Sequence, residues 1–299
     1  MAIGVVVVGM GARGEDWVRE VRSSSAFELA AVVDNDPVTL ASAMRRLRIS
    51  SDRCYPELEQ LLERQRCQAV IVATPADKHV HACEAALSRK LAVLVEKPFT
   101  LRLAEARGLV ALAEQNKTPL LVAQNYRYLR SFRTARKLIA DGTLGSIGAV
   151  TFQYYRVPHE MSPSLSSLEH SVLWGMGVHH LDVLRYVLQK RVTGVIAESF
   201  TLPWGELPKG ASLRVMLSFE GETRGFYSAT YESSGHQFFE RGQEFYARFM
   251  GERATLHVFQ RWLTLCENGK LYCRLGFAIV GQACAIAPGS HQASHTGEP

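Results

Sequence analysis

A glycine-rich segment near the start of the chain has the residue types and spacing that bind a pyrophosphate. It reads G-M-G-A-R-G, the pattern G-x-G-x-x-G, and follows an apolar run from Ile3 to Val8. The first glycine permits a tight turn, the second leaves room for a phosphate, and the third lets a helix pack closely on a strand. The N–H groups at the start of that helix would face the phosphates. We therefore expect five dinucleotide contacts here: Gly9, Gly11, Ala12, Arg13 and Gly14.

An acid follows the next apolar run. Phe27 to Val33 is apolar at most positions and is followed by Asp34. A carboxylate at the end of the second strand is placed to bind the adenosine ribose hydroxyls. Its charge would repel a 2′-phosphate, so NAD is the expected cofactor. NADP stays possible, because an arginine could reach the phosphate: Arg13, Arg45 or Arg46. The alternative is a glycine-rich turn beside a solvated acid.

A lysine stands where a parallel sheet usually binds its ligands. Glu96-Lys97-Pro98 follows the predicted strand Ala92 to Val95, and ligands of open parallel sheets bind outside the carboxyl ends of strands. Lys97 could donate to a substrate hydroxyl or carbonyl, and partial burial would lower its pKa. Pro98 could carry a cis bond. Glu96 and Lys97 are expected near the cofactor; the alternative is a surface Glu/Lys pair before a proline.

A histidine and an aspartate lie three residues apart early in a predicted helix. In Gly177-Val178-His179-His180-Leu181-Asp182, His179 and Asp182 share a helix face and can bond to each other. A histidine held in this way can transfer protons. His180 faces elsewhere and is expected to be structural or exposed to solvent. The alternative for His179 is a packed polar side chain.

A third segment joins a strand to a helix on the cofactor side of the predicted sheet. It reads Ala73-Thr74-Pro75-Ala76-Asp77-Lys78-His79. Thr74 could contact ribose or phosphate, and His79 could face the cofactor cleft. The alternative is a helix cap followed by an exposed histidine. Four residues of this segment are expected cofactor contacts: Ala73, Thr74, Pro75 and His79.

The order of predicted elements indicates an α/β protein of two domains. Strands alternate with helices up to residue 122, which predicts an N-terminal Rossmann domain with a doubly wound parallel sheet. Residues 123–299 begin with a long helix and then contain several strands without intervening helices. This pattern predicts a C-terminal α+β substrate-binding and oligomerisation domain built on an open, mostly antiparallel sheet. The polar stretch 288–299 is predicted to be a disordered tail.

The strands of the second domain also suggest self-association. Apolar residues alternate along 195–201, 212–219 and 223–231, and no later helix is available to cover a second apolar face. The residues expected on one side are Leu213, Val215, Leu217 and Phe219. Because an exposed apolar face is unfavourable in water, the pattern predicts a homodimer or a homotetramer.

Composition excludes several classes of function. The chain has 299 residues, of which 47% are hydrophobic and 21% charged, typical of a globular protein. Its net charge of +5 is not concentrated in any Lys/Arg block, so no nucleic-acid partner is expected. The six cysteines form no C-x-x-C pair and no zinc-like cluster, so no metal is expected. The N-terminal apolar run is too short to span a membrane and lacks the features of a signal peptide, which favours a cytoplasmic protein without membrane contact.

Six stretches of the chain follow one another in the order found in a known family. They are VVVVGMGARG, AVVDNDP, VIVATPADKHVHACEAAL, VLVEKPFT, QNYRYLRSFRTARKLIADGTLG and GVHHLDVLRYVL. In these stretches, which cover residues 3 to about 190, the chain resembles the Gfo/Idh/MocA oxidoreductases. These are NAD(P)-dependent enzymes that act on sugars, polyols and related cyclic alcohols.

The resemblance implies an enzyme that moves a hydride between nicotinamide and a small-molecule alcohol. It implies that Lys97 is the active-site lysine and that His179 is a catalytic or substrate-binding histidine that assists it. Asn125 and Arg127 match the family's N-x-R segment. The expected substrate-binding residues are Lys97, Asn125, Arg127, His179 and Asp182.

One departure from the family leaves a second function open. Many family dehydrogenases carry an aspartate four residues before the motif histidine, and this chain has Gly175 there. The usual Lys/Asp/His set is therefore incomplete, although another residue could replace the acid: Tyr154, His159 or Glu160. The alternative function is a dinucleotide-binding sensor or regulatory protein with weak or no catalysis.

Overall fold

The computed structural model describes residues 1–64, 67–156, 167–207, 210–234, 245–267 and 270–276. Two compact units make up the chain, Met1–Gln124 and Asn125–Pro299. The stretch 288–299, expected to be a tail, lies outside the described residues. His159 and Glu160, two candidates for the missing acid, also lie outside them.

The first unit is a six-stranded parallel sheet with helices between its strands. Its strands are β1 (Ile3–Val8), β2 (Phe27–Val33), β3 (Cys54–Tyr55), β4 (Ala69–Val72), β5 (Ala92–Val95) and β6 (Leu120–Val122). Its helices are α1 (Ala12–Ser23), α2 (Pro37–Leu47), α3 (Leu58–Arg64), α4 (His79–Ser88) and α5 (Leu103–Asn116). The strand order is β3-β2-β1-β4-β5-β6, and every pair is parallel.

The unbroken apolar run of β1 reflects burial on both faces. Val5 and Val7 pack into one hydrophobic cluster, whereas Val6 and Val8 pack into another. Successive side chains of a strand point to opposite faces, so a strand covered on both sides needs apolar residues throughout. The strand order reverses at β1 and β4, and ligands of such sheets bind beside the carboxyl ends at this reversal.

Within the described residues, the second unit is an eight-stranded mixed sheet with two α-helices packed on one face. Its strands are β7 (Ile147–Tyr155), β8 (Val192–Phe200), β9 (Ser212–Phe219), β10 (Arg224–Thr230), β11 (Tyr246–Gly251), β12 (Ala254–Phe259), β13 (Trp262–Glu267) and β14 (Lys270–Gly276). Its helices are α6 (Arg130–Ala140) and α7 (Val178–Leu188). The order is β14-β13-β12-β11-β7-β10-β9-β8, and the pair of β7 and β10 is parallel while the others are antiparallel.

The predicted fold class is confirmed, with additions in both sheets. The strands β3, β13 and β14 were not predicted from the sequence, nor was the parallel pairing of β7 with β10. That pairing joins segments far apart in the chain, which no local pattern reports. None of the helices in the described part of the chain is both long and apolar enough to cross a membrane.

The apolar stripe of β9 is covered by the chain's own helices, which corrects one expectation. Leu213, Val215, Leu217 and Phe219 are buried in one cluster with residues of α6 and α7. These helices precede β9 in the sequence, whereas the prediction considered only later helices. The opposite face instead carries exposed apolar side chains on β8, β9 and β10: Ile196, Met216 and Phe226.

Candidate active site

The turn between β1 and α1 requires glycine at two positions. Gly9 has a φ of 91°, and a Cβ there would lie 2.7 Å from the backbone of Ala73 and Thr74. A Cβ on Gly14 would overlap the carbonyl oxygen of Gly9. The helix can therefore start close to the strand only if both positions lack a side chain. At Gly11, by contrast, an added Cβ would meet no atom within 4 Å.

The carboxylate of Asp34 is fixed by main-chain groups beside this turn. Its Oδ2 accepts a hydrogen bond from the N–H of Met10 at 2.6 Å. Its Oδ1 accepts another from the N–H of Asp36 at 2.9 Å. Asp36 in turn caps the first turn of α2 with its own side chain. The acid that follows β2 is thus tied directly to the glycine-rich turn.

Thr74 offers an unused hydroxyl beside the same turn. Its Oγ1 is buried and has no hydrogen-bond partner among the described residues, and its backbone N lies next to Gly9. Buried polar groups normally have a hydrogen-bond partner. An unpaired hydroxyl at the carboxyl ends of the strands is therefore suited to bind a polar group of a ligand. The open space at Gly11 and the unpaired Thr74 hydroxyl together fit a dinucleotide, with Ala73 and Pro75 flanking the threonine.

His79 is buried against main-chain carbonyl groups, whereas it was expected to face the cofactor cleft. It is 1% exposed. Its Nε2 lies 2.9 Å from the carbonyl oxygen of Thr74, and its Nδ1 lies 3.0 Å from that of Pro98 and 3.1 Å from that of Phe99. The ring therefore links the loop after β4 to the loop after β5. This geometry supports a structural role that positions both loops.

The arginines that could favour a 2′-phosphate differ in their surroundings. Arg13 pairs with Asp16, with Nη1 and Oδ2 3.6 Å apart. Arg46 pairs with the largely buried Glu15 of α1, whereas Arg45 is exposed. Two of the three guanidinium groups are thus already next to carboxylates.

Lys97 follows β5 and is half-buried, in the Glu96-Lys97-Pro98 segment. Burial lowers the pKa of its amine; the Glu96 carboxylate opposes this effect and the Arg13 guanidinium adds to it. The Lys97–Pro98 bond is cis, as the sequence suggested. A lysine with a lowered pKa beside the cofactor-binding edge of a sheet is suited to proton transfer.

Glu96 is fixed by a residue that the sequence analysis missed. The indole Nε1 of Trp17, in α1, donates to Oε1 of Glu96 at 2.9 Å. Oε2 of Glu96 accepts from the N–H of Lys97 at 3.2 Å. Because the carboxylate beside the lysine is held in this way, its electrostatic effect on the amine is also fixed. The sequence signal for this contact was the position of Trp17 in α1, the helix that follows the glycine-rich turn.

In the second unit, His179 lies near the start of α7. A π-helical turn, Leu173–Gly177, leads directly into this helix, and such turns are frequent at functional sites. His179 is 5% exposed. Its imidazole stacks on the ring of Tyr126, with centroids 4.9 Å apart and planes 11° from parallel.

Asp182 binds Arg127, a partner that the sequence analysis did not foresee. Nε and Nη2 of Arg127 donate to the two carboxylate oxygens at 2.7 and 2.6 Å. The expected pairing of Asp182 with His179 is therefore replaced by a bidentate ion pair. Arg127 belongs to the short turn Asn125–Tyr128, in which Asn125 is exposed.

His180 is structural, and the expectation that it could face solvent is wrong. It is fully buried, and its Nδ1 lies 2.9 Å from the hydroxyl of Tyr227 on β10. Its ring stacks on Phe152 at 4.5 Å. Burial raises the pKa of Tyr227 well above its usual value, so the phenol stays neutral. This pair fastens α7 to the sheet.

Gly175 lies buried in the π-helical turn. Of the residues considered as replacements for the missing acid, Tyr154 is the described one. It is fully buried, packs 4.8 Å from His180, and accepts from Nη1 of Arg156 at 3.3 Å. Its enclosure in the core argues against exchange of a proton with a substrate.

Comparison with known protein families gives two matches that follow the two units. Residues 3–124 match a family model described as "Oxidoreductase family, NAD-binding Rossmann fold". Residues 132–257 match the model of the GFO/IDH/MocA C-terminal domain. The first unit is thus an NAD-binding Rossmann domain.

Individual relatives include named dehydrogenases. The chain is 28% identical over 183 residues to a D-apiose dehydrogenase of Paraburkholderia graminis, covering 60% of this chain and 48% of that protein. It is 26% identical over 204 residues to an inositol 2-dehydrogenase of Rhizobium meliloti, covering 68% and 60%. The chain spans about half the length of the curated relatives it matches.

A solved structure is similar over most of the chain. The inositol dehydrogenase homolog of Azotobacter vinelandii, complexed with NADH and myo-inositol, has a TM-score of 0.80 and 25% identity. The similarity covers 92% of this chain and 76% of that one.

Proposed function

The chain belongs to the Gfo/Idh/MocA oxidoreductase family, and on this premise we propose that it is an NAD(P)-dependent dehydrogenase. Its proposed reaction transfers a hydride between nicotinamide and a CH–OH group of a sugar, polyol or related cyclic alcohol. The names of its relatives, D-apiose dehydrogenase and inositol 2-dehydrogenase, support this substrate class. The observation that carries the proposal is the half-buried Lys97, whose pKa is lowered at the carboxyl end of β5.

The roles of the residues follow from their chemistry. Gly9, Gly11 and the start of α1 would receive the pyrophosphate, Asp34 the adenosine ribose, and Thr74 a ribose or phosphate oxygen. When bound, nicotinamide supplies the hydride acceptor or donor. Lys97 would take the hydroxyl proton during oxidation and return it during reduction, and a lowered pKa makes its neutral form more accessible. His179 would assist this proton transfer or bind a substrate hydroxyl.

The test of function is a cofactor-reduction screen over sugars and polyols that includes D-apiose and myo-inositol. NADH binding is measured on the same preparation by fluorescence. Turnover with one substrate, lost in a Lys97→Met variant, would support the proposal. NADH binding with no turnover on the whole panel would contradict it and point to a sensor.

We expect the cofactor to be NAD in preference to NADP. The Asp34 carboxylate is held in place by two backbone N–H groups, so it cannot easily turn away from a 2′-phosphate. Two of the three arginines that could offset that repulsion, Arg13 and Arg46, are paired with acids, which leaves Arg45. NADH should therefore have the lower dissociation constant in a direct titration. Tighter binding of NADPH would show that the Asp34 argument is wrong, and Asp34→Ala would then leave the preference unchanged.

We also propose self-association through the sheet face that α6 and α7 leave uncovered. Ile196, Met216 and Phe226 are 72%, 51% and 44% exposed on neighbouring strands of that face. Burying them between two copies would remove apolar surface from water, and a homodimer or a homotetramer closes such a contact. Light scattering should give a molar mass that is a multiple of 33.2 kDa, and Met216→Lys should reduce that mass.

The five described cysteines are free thiols, which suits the reducing cytoplasm.

A further inference from the structure

We infer that the short turn Asn125–Tyr128 positions His179 through two neighbouring side chains, Tyr126 and Arg127. This inference rests on the proposed function, because it assigns the turn a role in the reaction through His179. Tyr126 and Arg127 act here as positioning residues. Arg127 and Asp182 were expected to bind substrate; they form an ion pair one helical turn from the histidine that follows the π-helical turn.

The first contact fixes the plane of the imidazole. The rings of Tyr126 and His179 are nearly parallel at 4.9 Å, so rotation of the imidazole about its χ2 angle would break the stack. Tyr126 is itself held in place, because it is 8% exposed and lies 5.6 Å from the ring of Phe245. A rigid aromatic ring on one face therefore restricts the plane in which the two imidazole nitrogens lie.

The second contact fixes the helix turn on which His179 stands. Asp182 lies three residues after His179, on the same side of α7. The guanidinium of Arg127 grips its carboxylate with two parallel hydrogen bonds, a geometry that restricts rotation more than a single bond does. The Asp182 side chain is 15% exposed and that of Arg127 is 44% exposed, so the pair is shielded on the helix side and open to water on the arginine side.

Attachment of α7 to the domain does not depend on these two contacts. Val183, Leu184, Val187 and Leu188 are buried in the core, and His180 bonds to Tyr227. What Tyr126 and Arg127 add is orientation at the histidine, from two adjacent residues that contact α7 at His179 and at Asp182. A small misplacement of a catalytic group costs turnover far more than it costs folding. The turn therefore affects kcat through the orientation of His179, with little effect on the NADH dissociation constant.

Four variants test this role. Tyr126→Phe keeps the ring, Tyr126→Leu removes it, and Arg127→Lys keeps the charge but loses the fork. Tyr128→Leu is the matched control, since Tyr128 lies in the same turn and is 73% exposed. For each folded variant we would measure kcat and KM for the best substrate, the NADH dissociation constant, and the ring-proton resonances of His179. These resonances are assigned by their loss in His179→Asn.

We expect Tyr126→Leu to lower kcat by about tenfold or more, with KM and the NADH dissociation constant within about threefold of wild type. Tyr126→Phe should restore kcat, Arg127→Lys should lower it by about three- to tenfold, and Tyr128→Leu should leave it unchanged. The His179 ring protons, shifted upfield by the stacked ring in the wild type and in Tyr126→Phe, should move downfield in Tyr126→Leu.

Three results would overturn the inference: an unchanged kcat in folded Tyr126→Leu, an unmoved His179 resonance in that variant, or equal losses in Tyr126→Phe and Tyr126→Leu. If Tyr126→Leu does not fold, Arg127→Lys is the deciding variant. An unchanged kcat in Arg127→Lys would show that the ion pair does not position His179 and would overturn the inference. A wild-type protein that binds NADH but turns over no substrate would contradict the proposed function instead. In that case the His179 resonance still shows whether Tyr126 orients the ring.

Discussion

The glycine-rich turn and the start of α7 are both assigned to the same reaction, yet they are built differently. The turn is made of main chain: Gly9 takes a positive φ, Gly14 allows close contact, and backbone N–H groups hold Asp34. The start of α7 is made of side chains brought from distant segments, such as Tyr126 and Tyr227. A site made of main chain leaves its pattern in a short stretch of sequence, whereas a site made of packed side chains does not.

The largest expected effect is at Gly14. In Gly14→Ala the new methyl group would overlap the carbonyl oxygen of Gly9, and neither backbone can move without separating α1 from β1. We expect the free energy of unfolding to fall by about 3 kcal/mol or more, the upper range for overpacking. Urea unfolding followed by circular dichroism measures this loss.

Gly11→Ala is the matched control for that comparison. Because no atom lies within 4 Å of the added methyl group, the free energy of unfolding should change by less than about 1 kcal/mol. NADH affinity should nevertheless fall by about tenfold, or ~1.4 kcal/mol, since the methyl group occupies the approach of a phosphate. Equal losses of stability in both variants would show that the turn is not specialised in this way.

The second prediction concerns Lys97, which follows β5 in the same unit as the glycine-rich turn. Lys97→Met should lower turnover by about a hundredfold or more, as removal of a positioned acid or base does, and leave the NADH dissociation constant near wild type. Steady-state kinetics and a binding titration separate the two quantities. Turnover within a few-fold of wild type would make Lys97 structural.

The same variant should be more stable than wild type at neutral pH. Burial lowers the folded-state pKa of Lys97 below its ordinary 10.5, so the protonated amine disfavours folding. This penalty is fully present below the folded-state pKa. It disappears as the pH rises from that value to the unfolded-state value, because stability increases with pH where the unfolded state binds more protons. The gain in melting temperature of Lys97→Met should therefore shrink as the pH approaches 10.5.

The smallest expected effect is at Tyr227, whose hydroxyl contacts His180 near the start of α7. Tyr227→Phe removes the hydroxyl that bonds to Nδ1 of buried His180, which should lower the free energy of unfolding by about 1–3 kcal/mol. Tyr246→Phe is the matched control: it removes a similar bond, 2.7 Å from Tyr246 to Nδ1 of His257, that is only partly buried. That loss should be below about 1 kcal/mol. Equal losses would mean that burial does not set the strength of these pairs.

Local patterns also explain which strands were predicted. The valines of β1 and the alternation along β9 gave both strands their correct positions, because burial on two faces or one face leaves a direct pattern. The strands β13 and β14 were missed, although Asn268-Gly269 stands between them. That dipeptide between apolar runs is a strong hairpin signal and could have identified them.

Contacts between distant residues were beyond local reading. Trp17 reaches Glu96, Arg127 reaches Asp182, and His79 reaches the carbonyl of Pro98. Each bond depends on which elements become neighbours after folding, and no spacing within one element specifies that. For this reason the candidate residues of the site were predicted from the sequence, whereas Asp182 has a different partner from the one expected and the contacts of His79 and His180 were not foreseen.

The sequence by itself determined the Rossmann fold, the glycine turn, the acid after β2 and the lysine after β5, because main-chain geometry and strand burial constrain residue types at fixed spacing. Only the tertiary structure decided the mixed order of the second sheet, the face that stays exposed, and the contacts that hold His179. Those features depend on side chains meeting across tens of residues of chain, where many pairings are compatible with one pattern of apolar and polar positions.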